Sequence, residues 1–409
     1  MDDLRGRLRR LGVMTGRDFK PRPRTRRGGD IDSLVDGETV ATPDGNCFRV
    51  RRVFEPGWRH GPLPLGDWLA QDAALVTRLG NDPLLAQTDP SRFIFLDTET
   101  TGLGGGALAF LVGIGAFNEA GEFEVRQYFL RDPAEEAAML NALDEILRPG
   151  TALVTFNGRT FDVPLLGSRY VMARRRSPIG TLPNLDLLHP ARRLWQRRLP
   201  SCALGALEAS VLGVSRTEAD VPSPLIPYLY RQYLQTRDAR EMVRVLYHNE
   251  MDLLSMVVLG VTIYRAFTQP DAPDLHTEDR LSVARWYARQ GMTEEAEAAY
   301  DAAARSAPDA ETRRDALCGL AYLLKRNNRR EEALPLWVDM ANLKLDTVGH
   351  EELAKHYEWQ ALDVPRALEW TEQAIRLAES WRPGWQRTQA LNALHRRRER
   401  LLRKLDGSG

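Results

Sequence analysis

The clearest pattern in the chain is an apolar strand that runs into acidic residues. Residues 93–96 are all apolar, and residues 97–102 read Asp-Thr-Glu-Thr-Thr-Gly. Such an apolar run is typical of an interior strand of an α/β core. Alternate strand residues share a face, so Asp97 and Glu99 should point to the same side. Burying two carboxylates is costly without a partner, so we interpret them as metal ligands, the alternative being solvated acids at a strand end.

Two further segments place acids after or within apolar elements. An apolar strand at residues 152–156 runs into Asn157-Gly158, a strong turn signal, and Asp162 follows just past the strand end. Residues 245–256 have apolar side chains at helical spacing and carry His248 and Asp252. Because positions i and i+4 share a helix face, this imidazole and this carboxylate should project together.

These acidic elements, in this order, resemble the DEDD superfamily of 3′ to 5′ exonucleases, which have a ribonuclease H-like fold. Residues 96–102, 155–166, 186–195 and 248–256 together resemble its YprB-type branch from bacteria and archaea. The resemblance covers roughly residues 91–266 of the chain. It implies an α/β domain in which a mixed sheet is flanked by helices.

The resemblance also implies a set of metal ligands. These are the four carboxylates of Asp97, Glu99, Asp162 and Asp252, which would bind two divalent cations, Mg²⁺ or Mn²⁺. Hard oxygen ligands suit these ions better than zinc, and two cations about 4 Å apart can stabilise the attacking and leaving oxygens of phosphodiester hydrolysis.

The same resemblance assigns a role to each ligand. Asp97 would bridge the two ions, and Asp162 would support one of them. Glu99 and Asp252 would hold the other ion, which carries the nucleophilic water. His248 would act as general base, a role that suits an imidazole.

The histidine departs from the family pattern in its spacing. Family members have either a tyrosine with three residues before the last aspartate or a histidine with four. Here His248 has three and Tyr247 has four. Helix geometry favours His248, because i+4 is nearly in line with Asp252 whereas i+5 is rotated away. The alternative is a histidine that only caps or packs nearby.

Several residues beside the acids resemble the family's contacts to nucleic acid. The segment after the strand, which would contact the terminal nucleotide, consists of Thr100, Thr101, Gly102 and Leu103. An ordinary glycine-containing turn is the alternative. Asn157 and Gly158 either contact a phosphate or only turn the chain. Asp186 precedes a helical pattern, so we expect it to cap a helix or to support the site from behind.

The last third of the chain has a helical pattern that repeats. It follows a proline-broken linker at residues 269–276, and Ala296, Ala333 and Ala367 begin similar segments 37 and 34 residues apart. This spacing predicts an all-α solenoid over residues 277–405 that resembles tetratricopeptide repeats. Such a solenoid would bind a protein partner on its concave face, or would only cover the nuclease core.

Two segments precede the nuclease region. Residues 1–30 contain ten basic and four acidic side chains and too few apolar ones for a core, so we predict a basic, mobile arm. Residues 31–90 alternate short apolar runs with turns, which indicates a β-rich lead-in. The ribonuclease H-like nuclease domain is predicted over residues 91–268.

Composition narrows the class of protein. The 409 residues, 43% of them apolar, can form two or three domains with real cores. With 56 basic and 56 acidic residues, any attraction to nucleic acid must be local. No uninterrupted apolar run approaches the about 20 residues that span a bilayer, no signal segment follows the basic start, and the three cysteines are scattered. We therefore expect a cytoplasmic protein that makes no membrane contact.

The sequence thus predicts a two-metal nuclease, most directly a 3′ to 5′ exonuclease that acts on a single-stranded end of DNA or RNA. A structure-specific endonuclease is the alternative within the enzyme class. The alternative from another class is a non-catalytic adaptor that binds nucleic acid and recruits a protein partner through its repeats. Four mutually repelling carboxylates favour the enzyme, because a domain freed from catalysis has little reason to keep them.

Overall fold

A computed structural model of the chain describes residues 29–102 and 106–406. These residues divide into two compact units, one from residue 29 to 192 together with 199–265, the other of residues 193–198 together with 266–406. The predicted basic arm, apart from Gly29 and Asp30, lies outside the described residues, and so does Leu103.

The first unit is built on a mixed sheet of seven strands. The strands of this unit are β1 (Gly37–Thr42), β2 (Gly45–Phe54), β3 (Arg59–His60), β4 (Leu63–Pro64), β5 (Phe93–Thr100), β6 (Ala109–Phe117), β7 (Phe123–Phe129), β8 (Ala152–Thr155) and β9 (Asn184–Asp186). The large sheet has the order β1-β2-β7-β6-β5-β8-β9, while β3 and β4 form a separate small hairpin. The β5–β8 and β8–β9 pairs are parallel, and the other pairs are antiparallel. The predicted α/β sheet is confirmed, with β5 in its interior.

Helices surround this sheet. They are α1 (Ile31–Leu34), α2 (Ala73–Gly80), α3 (Glu136–Asp144), α4 (Asp162–Met172), α5 (Leu188–Trp195), α6 (Leu204–Leu207), α7 (Ile226–Thr236) and α8 (Arg240–Thr268), the last residues of α5 and α8 falling in the second unit. A π-helical turn, Glu208–Leu212, follows α6. Helix α7 is anchored by aromatic packing, since the Tyr230 ring stacks on Phe110 of β6 with their centres 3.9 Å apart.

Residues 31–90, predicted as a β-rich lead-in, extend the main sheet. Strands β1 and β2 form a hairpin, and β2 pairs with β7 from Phe48 opposite Phe129 to Phe54 opposite Phe123. These strands therefore share one sheet with β5.

Helix α8 brings the histidine and the last aspartate to the sheet. By length and composition it could cross a bilayer, yet 67% of its most apolar stretch is buried within the protein. Gln127 of β7 donates a hydrogen bond to the Leu246 carbonyl oxygen at 2.7 Å and so fixes α8 against the sheet. The burial of this helix and its tie to the sheet are those of a core helix.

The second unit is a helical solenoid. Its helices are α9 (Thr277–Arg289), α10 (Thr293–Arg305), α11 (Ala310–Arg326), α12 (Arg330–Leu343), α13 (Val348–Trp359), α14 (Val364–Glu379) and α15 (Trp385–Asp406). Each of these helices packs on the next. Ala296, Ala333 and Ala367, the predicted packing points, are at most 1% exposed. The solenoid is therefore confirmed, while its assignment to the tetratricopeptide class stays a prediction.

Candidate metal centre

The site begins with two acids on β5. Asp97 lies opposite Gly113 of β6, and the Asn249 amide of α8 donates a hydrogen bond to the Asp97 carboxylate at 2.7 Å. Asn249 is fully buried, and a Cβ atom at position 113 would collide with its side chain. Gly113 therefore provides the space for the residue that orients Asp97. Glu99 follows two residues later, and a register shift interrupts the pairing between Glu99 and Thr100.

The third acid is held by the turn after β8. Asn157 adopts a left-handed backbone conformation with φ of 67°, so the predicted turn is present. Asp186 of β9 accepts hydrogen bonds from the backbone N–H groups of Asn157 and Arg159, at 2.7 and 3.1 Å. Asp162 then opens helix α4, where a negative charge is favoured, and accepts a hydrogen bond from the Thr98 hydroxyl at 2.5 Å.

Asp186 also caps a helix, as one of its two predicted roles required. Its carboxylate accepts the backbone N–H of Leu188 at 3.1 Å, at the start of α5. One side chain thus fixes both the start of α5 and the turn that leads to Asp162.

Helix α8 brings a histidine and the fourth acid to the strand pair. The His248 Nε2 atom lies 3.6 Å from Asp252 Oδ2 and 3.9 Å from Glu99 Oε1. Glu99, His248 and Asp252 each offer one possible ligand atom, and these three atoms lie within 4.8 Å of one another. The Tyr247 hydroxyl instead accepts a hydrogen bond from Thr217 at 3.3 Å. Of the two residues that the spacing left in competition, His248 is the one beside the acids.

The orientation of the His248 ring follows from its neighbours. Asp220 Oδ1 lies 2.7 Å from Nδ1, and Ser223 Oγ lies 3.2 Å from Nε2. Arg216 Nη1 lies 3.0 Å from the same Nδ1 atom and 3.6 Å from Asp220 Oδ1. A carboxylate can only accept and a guanidinium can only donate, so the two contacts favour opposite tautomers. We assign the hydrogen to Nδ1 from the shorter contact, that with Asp220, and Arg216 then pairs with the Asp220 carboxylate. Nε2 is then the basic atom, on the side of Glu99 and Asp252. Asp220 could not be predicted from the sequence, because it lies in an irregular segment 28 residues before the histidine.

An arginine that the sequence analysis also missed contacts the acids. Arg216 donates to both carboxylate oxygens of Glu208, at 2.6 and 2.7 Å, and to Asp252. Ser255 donates to Glu208 at 2.6 Å, and the Nε2 atom of buried His60 lies 2.8 Å from the Ser255 hydroxyl. His60 therefore belongs to a hydrogen-bond chain, through Ser255 and Glu208, that holds Arg216 in place.

Burial and mutual repulsion make the carboxylate cluster hard to ionise. Burial, followed by the charges of Asp252 and Asp162, raises the pKa of Asp97 well above its usual range. Burial, followed by Asp97 and Asp252, does the same to the pKa of Glu99. Burial raises the pKa of Asp162 to about 6 despite the hydrogen bond from Thr98. The three carboxylates therefore repel one another when they are ionised, so the charge on each depends on the charge of the others.

Asp252, the fourth carboxylate, is in contact with Arg216. Burial raises the pKa of Asp252, and the positive charge of Arg216 offsets part of this increase. Oxygen ligands of this kind, with uncompensated negative charge between them, fit a hard divalent cation such as Mg²⁺ or Mn²⁺.

The residues predicted to contact nucleic acid lie in two segments, one directly after Glu99 and one in the turn after β8. The Thr100 hydroxyl donates to the Gly102 carbonyl oxygen at 2.8 Å. Thr101 exchanges two hydrogen bonds of 3.0 Å with the Leu108 backbone, one through its N–H and one through its hydroxyl. Gly158 lies in the turn that Asp186 holds. Contact of these residues with a nucleotide stays a prediction.

Comparison with known proteins agrees with this geometry. A family model described as RNase H superfamily matches residues 94–264, which include the four acids and His248. The uncharacterized protein YprB of Bacillus subtilis (strain 168) is 34% identical over 343 residues, which cover 81% of each chain. The chain belongs to the YprB family. The YprB family membership confirms the expected relationship, and the match to YprB extends well beyond the ribonuclease H-like domain. The match to the RNase H superfamily is what supports a nuclease-like function.

Metal binding to this YprB-family site should be measurable without any substrate. We expect Mn²⁺ to raise the melting temperature, because an ion that binds the folded chain at 100 times its Kd adds about 2.7 kcal/mol of stability. Asp252→Asn should remove most of this increase, whereas Asp301→Asn, at a half-exposed position of α10 in the other unit, should retain it. The measurement is a thermal melt with and without Mn²⁺. An equal increase in both variants would show that the ion binds elsewhere.

Proposed function

We propose that this protein is a metal-dependent nuclease that hydrolyses phosphodiester bonds, acting as a 3′ to 5′ exonuclease on single-stranded ends of DNA or RNA. The observation that carries the proposal is the convergence of Glu99 on β5 with His248 and Asp252 on α8, within a ribonuclease H-like domain. Asp97 is held to the same helix by Asn249 and is close enough to repel Asp252. A purely structural role for the domain would not account for this repulsive group of carboxylates.

The carboxylates are the residues that would hold the ions. Two divalent cations, Mg²⁺ or Mn²⁺, held by Asp97, Glu99, Asp162 and Asp252 would neutralise charge on the reacting phosphate and make water more acidic. Asn249 orients Asp97 for this role, and Thr98 orients Asp162. The Asp186 carboxylate holds the turn that leads to Asp162.

His248 would remove the proton from the attacking water. Its Nε2 atom lies on the side of Glu99 and Asp252, where the nucleophile must form, and Asp220 holds Nδ1 on the opposite side of the ring. A protonated imidazole would be stabilised by the Asp220 carboxylate. This arrangement suits a general base.

The exonuclease assignment rests on the segment after Glu99. Thr100, Thr101 and Gly102, followed by Leu103, would contact the terminal nucleotide, and Asn157 and Gly158 would contact its phosphate. Their sequence positions next to Glu99 and before Asp162 place these contacts beside the proposed ligands. A single-stranded end is the substrate that such contacts select.

The test is cleavage of end-labelled single-stranded DNA and RNA in Mn²⁺, Mg²⁺ or EDTA. We expect a ladder that starts at the 3′ end, requires metal and identifies the preferred polymer. Internal cuts in a circular single strand would indicate an endonuclease instead. Absence of cleavage in all conditions, by protein whose melting temperature rises with Mn²⁺, would favour a non-catalytic adaptor.

The role of Asp220 gives a separate prediction. Asp220→Ala should lower kcat about 10-fold to 100-fold, the usual effect of removing the group that orients a histidine in a metal site. KM and the Mn²⁺-induced rise in melting temperature should change little, because Asp220 contacts His248 rather than the proposed ions. Glu218→Ala, in the same segment, is the matched control. A loss of Mn²⁺ stabilisation in Asp220→Ala would mean that the residue only maintains the fold of the site.

A further inference from the structure

The second unit contains a cavity of 270 Å³ with a lining that is both aromatic and basic. It is formed by residues from the end of α11, from α12 and from α13. Its cationic residues are Lys325, Arg330 and Lys355, and its aromatic ones are Trp337 and Trp359. The volume is slightly below the range of about 300–1,000 Å³ found for small-molecule sites, so it suits one unit of a polymer.

This lining has a surplus of positive charge. Glu352, the carboxylate in it, is buried and accepts hydrogen bonds from both Lys325 and Lys355, the latter at 2.7 Å. Burial would raise the pKa of Glu352, but the two lysines lower it below its usual range. Arg330 is exposed and forms no ion pair within the part of the chain that the structure describes. The lining therefore contains three cations and one carboxylate, and Arg330 is not paired with that carboxylate.

The positive surface continues around Trp359 onto α15. Glu358, at most 1% exposed, accepts hydrogen bonds from Arg397, Arg400 and Lys404, at 2.8 to 3.0 Å. The Lys404 ammonium lies 3.8 Å from the centre of the Trp359 ring. The Trp359 side chain is nevertheless 55% exposed. A large aromatic surface thus remains accessible among cations whose counter-charges are buried beneath them.

We infer that this cavity binds single-stranded nucleic acid, with a base stacked on Trp359 and the adjacent phosphates held by Arg330, Lys325 and Lys355. Proteins that bind single strands without sequence preference combine a positively charged groove with aromatic stacking surfaces. An acidic peptide would match only the charge, whereas a nucleotide matches both the charge and the exposed ring. This choice of ligand rests on the proposed function, which already makes nucleic acid the substrate of the same chain.

Binding can be measured without cleavage in the whole chain that carries Asp97→Asn, in EDTA. The probe is a fluorescein-labelled oligothymidylate or oligouridylate, followed by fluorescence anisotropy over a range of salt concentrations. Trp359→Ala should raise Kd about fivefold or more, the effect of losing one stacked base. Arg330→Gln should weaken binding and reduce the slope of log Kd against log salt by about 0.7, the value for one phosphate contact to a single strand.

Matched controls come from the same unit. Trp385, 74% exposed, and Arg305, with 69% of its side chain exposed, do not line the cavity. Trp385→Ala and Arg305→Gln should therefore bind like the parent chain. Melting temperatures, expected to be unchanged because all four side chains are exposed, verify that each variant folds.

The outcomes separate this inference from the proposed function. Equal Kd values for Trp359→Ala and Trp385→Ala, or no binding by the parent chain, would overturn the inference. Tighter binding of oligoglutamate than of either oligonucleotide would overturn it in favour of an acidic protein partner. Metal-dependent cleavage by the wild type without any dependence of binding on Trp359 would refute only this inference. Trp359-dependent binding without cleavage in any metal would refute only the proposed nuclease.

Discussion

Replacement of Asp97 by asparagine is expected to abolish metal-dependent cleavage while leaving the fold intact. Asparagine keeps the shape of the side chain and can still pair with Asn249, but it removes the negative charge that would bind both ions. We expect a loss of about 10²-fold to 10³-fold in kcat from the lost electrostatic stabilisation alone, the scale on which removal of one such group acts. The rise in melting temperature with Mn²⁺ should be lost as well.

The same substitution should not reduce stability in the absence of metal. Burial and the neighbouring acids raise the pKa of Asp97 well above its usual range, so keeping this group ionised at neutral pH is unfavourable in the folded chain. Removing its charge relieves repulsion with Asp252 and Asp162. A higher melting temperature in EDTA, together with lost cleavage, is the signature of a residue kept for activity at the expense of stability.

Cleavage of end-labelled oligonucleotides and thermal melts in EDTA and Mn²⁺ measure both effects. Asp67→Asn is the matched control, since Asp67 is exposed and lies in a short 3₁₀ helix of the same unit. Its cleavage and stability should equal those of the wild type. Cleavage by Asp97→Asn at the wild-type rate would exclude this site as the catalytic centre, whether or not Mn²⁺ still stabilises the variant.

The sequence could predict the parts of the site that local patterns encode. The apolar run before Asp97 predicts an interior strand, and helical spacing places His248 and Asp252 on one face of a helix. Both patterns depend on residues within a few positions of one another. The solenoid could be predicted for the same reason, because its buried alanines recur at a nearly constant interval.

The supporting residues could not be predicted, because their contacts span long distances along the chain. Arg216 meets Asp252 from a segment 36 residues away, and Asn249 reaches Asp97 across 152 residues. His60 and Ser255 are 195 residues apart. The need for a glycine at position 113 becomes clear only when Asn249 is seen packed against it. No local period reports such contacts, which exist only after the sheet and α8 have assembled.

The extension of the sheet by residues 31–90 has the same explanation. Alternating apolar residues predict strands there, but pairing of β2 with β7 joins residues 69 to 81 positions apart, from Phe54 with Phe123 to Phe48 with Phe129. Register over such distances depends on which faces become buried in the folded sheet. Local patterns thus predict where a strand lies more readily than they predict which other strand it pairs with.

Replacement of His248 by glutamine is expected to slow cleavage by about 10²-fold to 10⁴-fold, the usual contribution of a general base. The amide can still contact Asp220 but cannot take up a proton at neutral pH. If His248 acts on the attacking water rather than as a ligand, the Mn²⁺-induced rise in melting temperature should persist in this variant. Cleavage rates and Mn²⁺ thermal melts on the same preparation distinguish the two roles.

Tyr247→Phe is the matched variant for the unusual spacing of this element. The Tyr247 hydroxyl pairs with Thr217, whereas His248 Nε2 lies within 4 Å of both Asp252 and Glu99. We therefore expect Tyr247→Phe to cleave at close to the wild-type rate. A large loss of cleavage in Tyr247→Phe with little loss in His248→Gln would transfer the base to the tyrosine. Loss of Mn²⁺ stabilisation in His248→Gln would instead mean that the ring takes part in metal binding, either as a ligand or through its contacts with Asp252 and Arg216.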